Sequence, residues 1–190
     1  MQVPGIDHEG IDHEWRIAHS RAVKDDWFRV SPYSPIPAHD RPTFGGLSYY
    51  AVDPGLRFDG LRLGPIPDGA STTFGIVTSD GGSRQVRRIG TLAFRIGGAS
   101  RALVAYELGT RAGSLFVPFL DATSGVETYG AGRYLDIEPE EDGTYNVDFN
   151  AAYHPFCAYA PDYSCPLTPA ENRLADRIEA GERLATAVVR

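Results

Sequence analysis

Soft metal-ligand and nucleophile chemistry is concentrated in one short stretch: His154, Cys157 and Cys165, spaced by three and then eight residues. Structural zinc takes four ligands, and no fourth cysteine or histidine lies near these three. The expectation is that no metal binds here and that both thiols are free, buried and inert. A disulfide across the short loop is the alternative, disfavoured in a reducing compartment. A Cys157–His154 nucleophile pair would need the imidazole within hydrogen-bond reach and a cleft beside it. No G-x-S-x-G elbow, H-E-x-x-H pair or phosphate loop occurs.

Arg133 shares its side of a strand pattern with Leu135 and Ile137. A guanidinium on an apolar face must meet a carboxylate or several carbonyls. Asp121 and Glu171 are the favoured partners, and an anionic ligand is the functional alternative. Gly130-Ala131-Gly132, just before Arg133, lacks the helix that gives a phosphate loop its amides. It reads as a tight turn needing positive φ before a strand. Asp148 or His154 would be the base if the protein is a hydrolase-like enzyme. The candidate ligand-binding set is Asp121, Tyr129, Arg133, Asp148, Asn150, His154, Tyr159, Glu171 and Asn172. No catalytic residue, metal or cofactor is assigned.

The elements that must hold these residues are mostly strands. The 190 residues include 10 Tyr, 9 Phe, 21 Gly and 14 Pro. Many aromatics between frequent Gly/Pro breaks predict a mainly β domain. Strands are expected at Phe44–Val52, Leu56–Leu63, Thr72–Thr78, Leu92–Ile96, Leu103–Leu108 and Leu115–Leu120. The apolar phase slips by one at Gly60, which predicts a β-bulge there. Leu92–Ile96 and Leu103–Leu108 predict a hairpin across Gly97-Gly98. Pro118, inside an all-apolar strand, demands a bulge or an unpaired edge.

Arg133–Ile137 and Tyr145–Phe149 predict a second hairpin, with Leu135 facing Val147 and Ile137 facing Tyr145. Its other face would carry Tyr134, Asp136, Asn146, Asp148 and Asn150, either wet or lining a barrel interior. Residues 170–184 suit a short helix or a strand ending at Ala180-Gly181. Asp12–Phe28 predicts a helix with Trp15, Ala18, Ala22, Val23 and Trp27 on one stripe, followed by a Pro-rich strap. Ahead of it, Gly5-Ile6-Asp7-His8-Glu9 repeats as Gly10-Ile11-Asp12-His13-Glu14. Residues 1–14 are expected to be a flexible tail and 15–190 a single globular domain.

The net charge is −7, and Lys24 is the only lysine. The one basic group, Arg84, Arg87 and Arg88, suits the solvated face of a strand. Nucleic acid and anionic membranes are therefore poor partners. With no signal peptide and no apolar run near ~20 residues, the expectation is a soluble cytoplasmic protein.

Longer words gather in the second half. They are Phe116-Val117-Pro118-Phe119 with Asp121, Thr128-Tyr129-Gly130-Ala131-Gly132-Arg133-Tyr134, Asp148-Phe149-Asn150, and Cys157-Ala158-Tyr159, then Cys165-Pro166 and Glu171-Asn172. With Phe44–Tyr50 upstream, they resemble the uncharacterised bacterial and archaeal family catalogued as domain of unknown function 1684. The resemblance runs from about Trp15 to Glu182. It departs at His154, where the family pattern has Asn, and at Leu120, where it has a basic residue. That resemblance implies no activity. The reading reached is an antiparallel β-barrel or sandwich with an N-terminal helix and a Pro-rich C-terminal wrap. Its expected role is binding a small, possibly anionic molecule in a pocket built from the Asp121–Asn172 region. The alternatives are the hydrolase-like enzyme and a protein-interaction module using Trp15 and Trp27, its partner unknown.

Overall fold

A computed structural model describes residues 8–107 and 113–185. Chain contacts divide it into two units, residues 1–47 and 48–190.

In the first unit, helix α1 spans His8–Val30. It begins ahead of Asp12, inside the segment expected as a tail. It ends where Ser34 Oγ donates to the Phe28 carbonyl at 2.6 Å and Pro32, Pro35 and Pro37 forbid further helix. Asp25 accepts from the Leu47 amide at 3.0 Å, and Phe28 stacks on Phe44. The helix has apolar residues on two opposite faces. Ile17 and Phe28 are buried, whereas Trp15, Ala18, Ala22, Val23 and Trp27 all face outward. The stripe read from the sequence is thus the exposed one.

The second unit is mainly β. Strands β1 (Ser48–Tyr49), β2 (Arg57–Leu61), β3 (Thr73–Val77), β4 (Ser83–Ile96) and β5 (Ala99–Glu107) come first. Then follow β6 (Leu115–Phe119), β7 (Arg133–Ile137), β8 (Tyr145–Asp148) and β9 (Glu182–Arg183). A five-stranded antiparallel sheet runs β3-β4-β5-β6-β7, with β2-β8 and β1-β9 as two-stranded pairs. The described strands form no closed barrel. Leu92, Phe94, Leu103, Val117, Phe119 and Leu135 on the sheet meet Val147 of β8, Phe149, and Leu174, Ile178 and Ala180 of the C-terminal segment. Ile76, Val86, Val104, Tyr106, Phe116 and Tyr134 make a smaller cluster.

The β4–β5 hairpin turns at Gly97 and Gly98, both at positive φ. Its last expected residue, Leu108, lies outside the described residues. The β2–β8 register shifts between Phe58 and Leu61, with Gly60 at φ +66°; the bulge sits where the apolar phase slips. The region Phe44–Val52 keeps only the two-residue β1 as strand.

The expected β7–β8 ladder does not form: the chain turns back with one antiparallel bridge, Pro139 opposite Tyr145, and the strands then part. Strand β7 pairs with β6, and β8 pairs with β2, setting Phe58 against Val147. Leu135, Ile137, Tyr145 and Val147 do share one core, but from different sheets. Alternation specifies a strand's face and says nothing of its neighbour. The supposed polar face is therefore split between two sheets.

Residues 155–185 are neither the helix nor the long strand expected for part of them. They form short 3₁₀ turns, extended chain and the two-residue β9, and bond to the ends of other strands. Leu167 donates to the Val77 carbonyl, Ser79 to the Cys165 carbonyl, and Leu120 and Asn172 join through their backbones.

Pro118 makes no bulge: one edge is paired, opposite Tyr134, and the other is the unpaired edge that a proline demands. That edge faces Val104, in register with the Tyr106–Phe116 pair. Lacking an N–H, Pro118 cannot complete that ladder. The Asn172 side-chain amide fills the gap. Its Nδ2 donates to the carbonyls of Val104 (2.8 Å) and Pro118 (2.7 Å), and its Oδ1 accepts from the Val104 amide at 2.8 Å.

Candidate functional site

Arg133 is fully buried. Gly132, at φ +101°, positions it: a Cβ there would lie 2.5 Å from the Phe119 carbonyl oxygen. The close approach and the left-handed backbone both require glycine. The Arg133 guanidinium donates to the carbonyls of Ile178 (2.8 Å), Ala180 and Glu182 (3.2 Å). These alternate residues point their carbonyls to one side of an extended chain. Asp121 lies 3.5 Å away as the ion partner. Asp121 also accepts from the hydroxyls of Thr123 and Ser124 and from the Ile178 amide at 2.8 Å. Burial presses the guanidinium below its ordinary value, opposed chiefly by Asp121. The expected carboxylate partner is present, but the hydrogen bonding is mostly to backbone.

A second buried group adjoins the first through Glu182. Its carbonyl serves Arg133, while its Oε2 accepts from the His154 amide and the Tyr159 hydroxyl, both at 2.7 Å. His154 Nε2 accepts the Tyr129 amide at 3.2 Å. That lone pair is engaged and the ring is buried, so His154 is not placed to take a proton from a water-borne substrate. Burial foremost, then a hydrogen bond with Cys157, pushes the Tyr129 hydroxyl up to about 12. Glu182 has no strong sequence signal beyond the Gly181 turn before it.

The remaining candidates lie elsewhere. Asp148 Oδ1 caps a 3₁₀ turn through the Asn150 amide at 2.9 Å. The Asn150 side chain brackets the Asp53 peptide, accepting from its amide and donating to its carbonyl at 2.8 Å each. Glu171 pairs with Arg88 at 2.8 Å and accepts from the Tyr106 hydroxyl; it is not the partner of Arg133. Asn172 bridges β5 and β6.

A cleft of about 290 Å³ opens between β6–β7 and the C-terminal segment. Phe116, Tyr134, Tyr153, Phe156 and Tyr163 supply its aromatic lining, with Pro155, Cys165 and Pro166 beside them. Phe116 meets Tyr134 edge-on at 4.8 Å, and Phe156 meets Tyr163 likewise at 5.2 Å. Two exposed charges stand at the rim. Arg84 donates to the Ser164 carbonyl at 2.9 Å, and Asp136 accepts from the Tyr153 hydroxyl at 2.6 Å. None of the nine candidate residues lines this cleft. Most of its lining nevertheless falls between Asp121 and Asn172. The available signal was the run of aromatics Tyr153, Phe156, Tyr159 and Tyr163 among prolines.

Cys157 and Cys165 are both free thiols, with the Cys157 amide 3.4 Å from Cys165 Sγ. Among the described residues, no three His, Cys, Asp or Glu side chains gather to hold a metal.

The family model for a protein of unknown function, DUF1684, matches residues 42–183. The chain belongs to the DUF1684 family. Its fold is also similar to the solution NMR structure of an uncharacterized protein of Haloarcula marismortui. That likeness has a TM-score of 0.69 at 36% identity, covering 97% of this chain and 100% of the other. No curated protein matches the chain. Within this DUF1684 chain, the Arg-Tyr of the Thr128–Tyr134 word divides its work. Arg133 points into the buried network, and Tyr134 lines the cleft.

Proposed function

We propose that this DUF1684 protein binds a small, flat, anionic molecule in the aromatic cleft. The observation that carries the reading is the cleft itself. Five aromatic side chains surround a concavity, and an exposed arginine stands at its mouth. Ligand sites of this kind combine apolar walls with a few placed polar groups. Arg84 offers planar donors suited to a carboxylate or phosphate. The buried Arg133 cannot serve this role, because backbone carbonyls and Asp121 already surround it. Asp148 acts as a turn cap and His154 has its acceptor nitrogen engaged, so the hydrolase-like alternative lacks a placed base. Arg87 and Arg88 pair with Glu107 and Glu171, which supports the reading that nucleic acid is not the partner. No described helix is long and apolar enough to cross a membrane; we place the protein in the cytoplasm as part of this proposal.

The test is a thermal-shift screen of aromatic carboxylates and phosphates, repeated on Phe156→Ala and Arg84→Gln. A ligand at 100 times its Kd raises stability by about 2.7 kcal/mol. The expected result is a hit whose stabilisation falls in both variants. Stabilisation unchanged in Phe156→Ala, or no hit in the screen, overturns the reading.

A further inference from the structure

We propose that Cys157 and Cys165 are a reversible dithiol–disulfide couple, in which Cys157 meets the oxidant and Cys165 resolves it. The chain holds no other cysteine, so the pair has no competitor within one molecule. The Cys157 amide donates to Cys165 Sγ at 3.4 Å, and the two thiols interact directly. A donor amide at that distance sets the sulfur about 4 Å from its own Cα. Bridged cysteines have their Cα atoms about 4.4–6.8 Å apart. Closing the bond therefore asks for side-chain rotation and little movement of the backbone.

Local structure fixes both ends. Cys157 is the middle residue of a 3₁₀ turn, Phe156–Ala158, that follows Pro155. Cys165 is held to Ser79 from both sides. Its amide donates to Ser79 Oγ at 3.0 Å, and its carbonyl accepts from the Ser79 amide at 2.8 Å. The residues between, 158–164, are tied down in the middle as well. The Tyr159 hydroxyl donates to Glu182, and Ser79 Oγ donates to the Tyr163 carbonyl at 2.9 Å.

The two thiols differ in access. Cys157 is half-buried and Cys165 is buried. Redox-sensing cysteines take this form, an accessible thiol poised beside a resolving one. Burial also pushes the Cys165 thiol up to about 11, which keeps it protonated and leaves the first attack to Cys157.

The oxidant is a peroxide, in the simplest case hydrogen peroxide. The Cys157 sulfur attacks one peroxide oxygen, the O–O bond breaks, and the departing hydroxide takes the thiol proton and leaves as water. The Cys165 sulfur then attacks the Cys157 sulfenic acid. An S–S bond forms, the S–O bond breaks, and the hydroxyl leaves with the Cys165 proton as a second water. Two electrons pass from the sulfurs to the peroxide. Two glutathione thiols reverse the change, returning both cysteines and one glutathione disulfide. In a reducing compartment the disulfide is thus the transient state. The bond ties together the two stretches of chain that carry Phe156 and Tyr163 in the cleft wall. The couple stands on the two thiols alone and holds whether or not the cleft takes a ligand.

The test treats the reduced whole chain with hydrogen peroxide and reads it by mass. Both cysteines fall in one tryptic peptide, residues 134–173. The expected product is that peptide lighter by two hydrogens, with the original mass restored by glutathione. Cys165→Ser is expected to stop at the Cys157 sulfenic acid, which dimedone traps, whereas the wild type gives no lasting adduct. Cys157→Ser is expected to react roughly tenfold or more slowly than Cys165→Ser. Thermal melts of the reduced variants verify that each is folded. A wild type that gains oxygen instead of losing hydrogens overturns the inference. So does one that links two chains on a non-reducing gel, stays reduced under excess peroxide, or forms a disulfide that glutathione does not reopen. Equal rates in the two single variants would remove the division of labour between the thiols.

Discussion

The side-chain amide of Asn172 donates to the carbonyl of Pro118 at 2.7 Å across 54 residues of sequence, standing in for a peptide group that proline cannot supply. Two further bonds to Val104 complete the substitution. The five-stranded sheet is continuous at that point only through this side chain.

Asn172→Ala is expected to destabilise the fold by roughly 3 kcal/mol or more, since each buried backbone group left unpaired costs about 1–3 kcal/mol. Asn172→Asp is expected to be at least as harmful, because a carboxylate cannot donate to two carbonyls. Urea melts of both variants check this. Wild-type midpoints would show the amide to be dispensable.

Arg133→Ala is expected to cost roughly 3–5 kcal/mol by leaving Asp121 buried without its cation. Arg133→Lys is expected to be destabilising too. An ammonium lacks the planar fork that reaches several carbonyls at once. Thermal melts check both, and a Lys variant as stable as wild type would mean that charge alone suffices.

Stability is expected to fall at both ends of the pH range. Asp80 is held down to about 2, foremost by the Thr78 hydroxyl, and Asp176 is lowered foremost by its bond from Arg101. Their contribution is complete above the unfolded carboxylate range near 3.8 and is lost as pH falls through the folded values. Tyr50 and Tyr129 are pushed up to about 12, and burial drives Tyr106, Tyr134 and Tyr153 higher still. Their contribution is complete below the ordinary tyrosine value of 10.0 and is lost as pH rises through 12. Melts from pH 2 to 12, with tyrosinate absorbance followed in parallel, check both limbs. Most tyrosines ionising near pH 10 while the protein stays folded would contradict the alkaline one.

Cys157 is expected to be alkylated well before Cys165. Cys157 is half-buried, while Cys165 is buried with its thiol pushed up to about 11 by that burial. The thiolate is the reactive form. Mass spectrometry of an iodoacetamide time course resolves the order, and equal rates would refute it.

What could be read directly from the residues was local. Gly60 broke an alternation by one, and a bulge is the backbone's way of doing so. Arg133 shared a face with Leu135 and Ile137, so its burial and need for a carboxylate were legible, but the choice of Asp121 over Glu171 was not. Strand pairing was not legible either, because Val147 alternates identically whether its neighbour is Leu135 or Phe58. The α1 stripe was legible but its direction was not, because the helix is apolar on two faces, and period alone does not say which is covered. Among the candidate residues, Asn172 drew notice through its family word, yet its role depends on a proline in another strand. Glu182 stood in a tail whose extended geometry no periodicity announced.

Because the carbonyls that surround Arg133 belong to residues 178, 180 and 182, order of synthesis matters. While the chain emerges from a ribosome, β6 and β7 are complete some forty residues before those acceptors exist. During that interval the sheet would have to bury a cation with Asp121 alone. The stable course is for β7 to stay hydrated until the final segment arrives, so that completion of the core waits on the C-terminal end. A nascent chain stalled before Ile178 should thus remain open to protease at β7, and one released past Glu182 should become resistant in a single step.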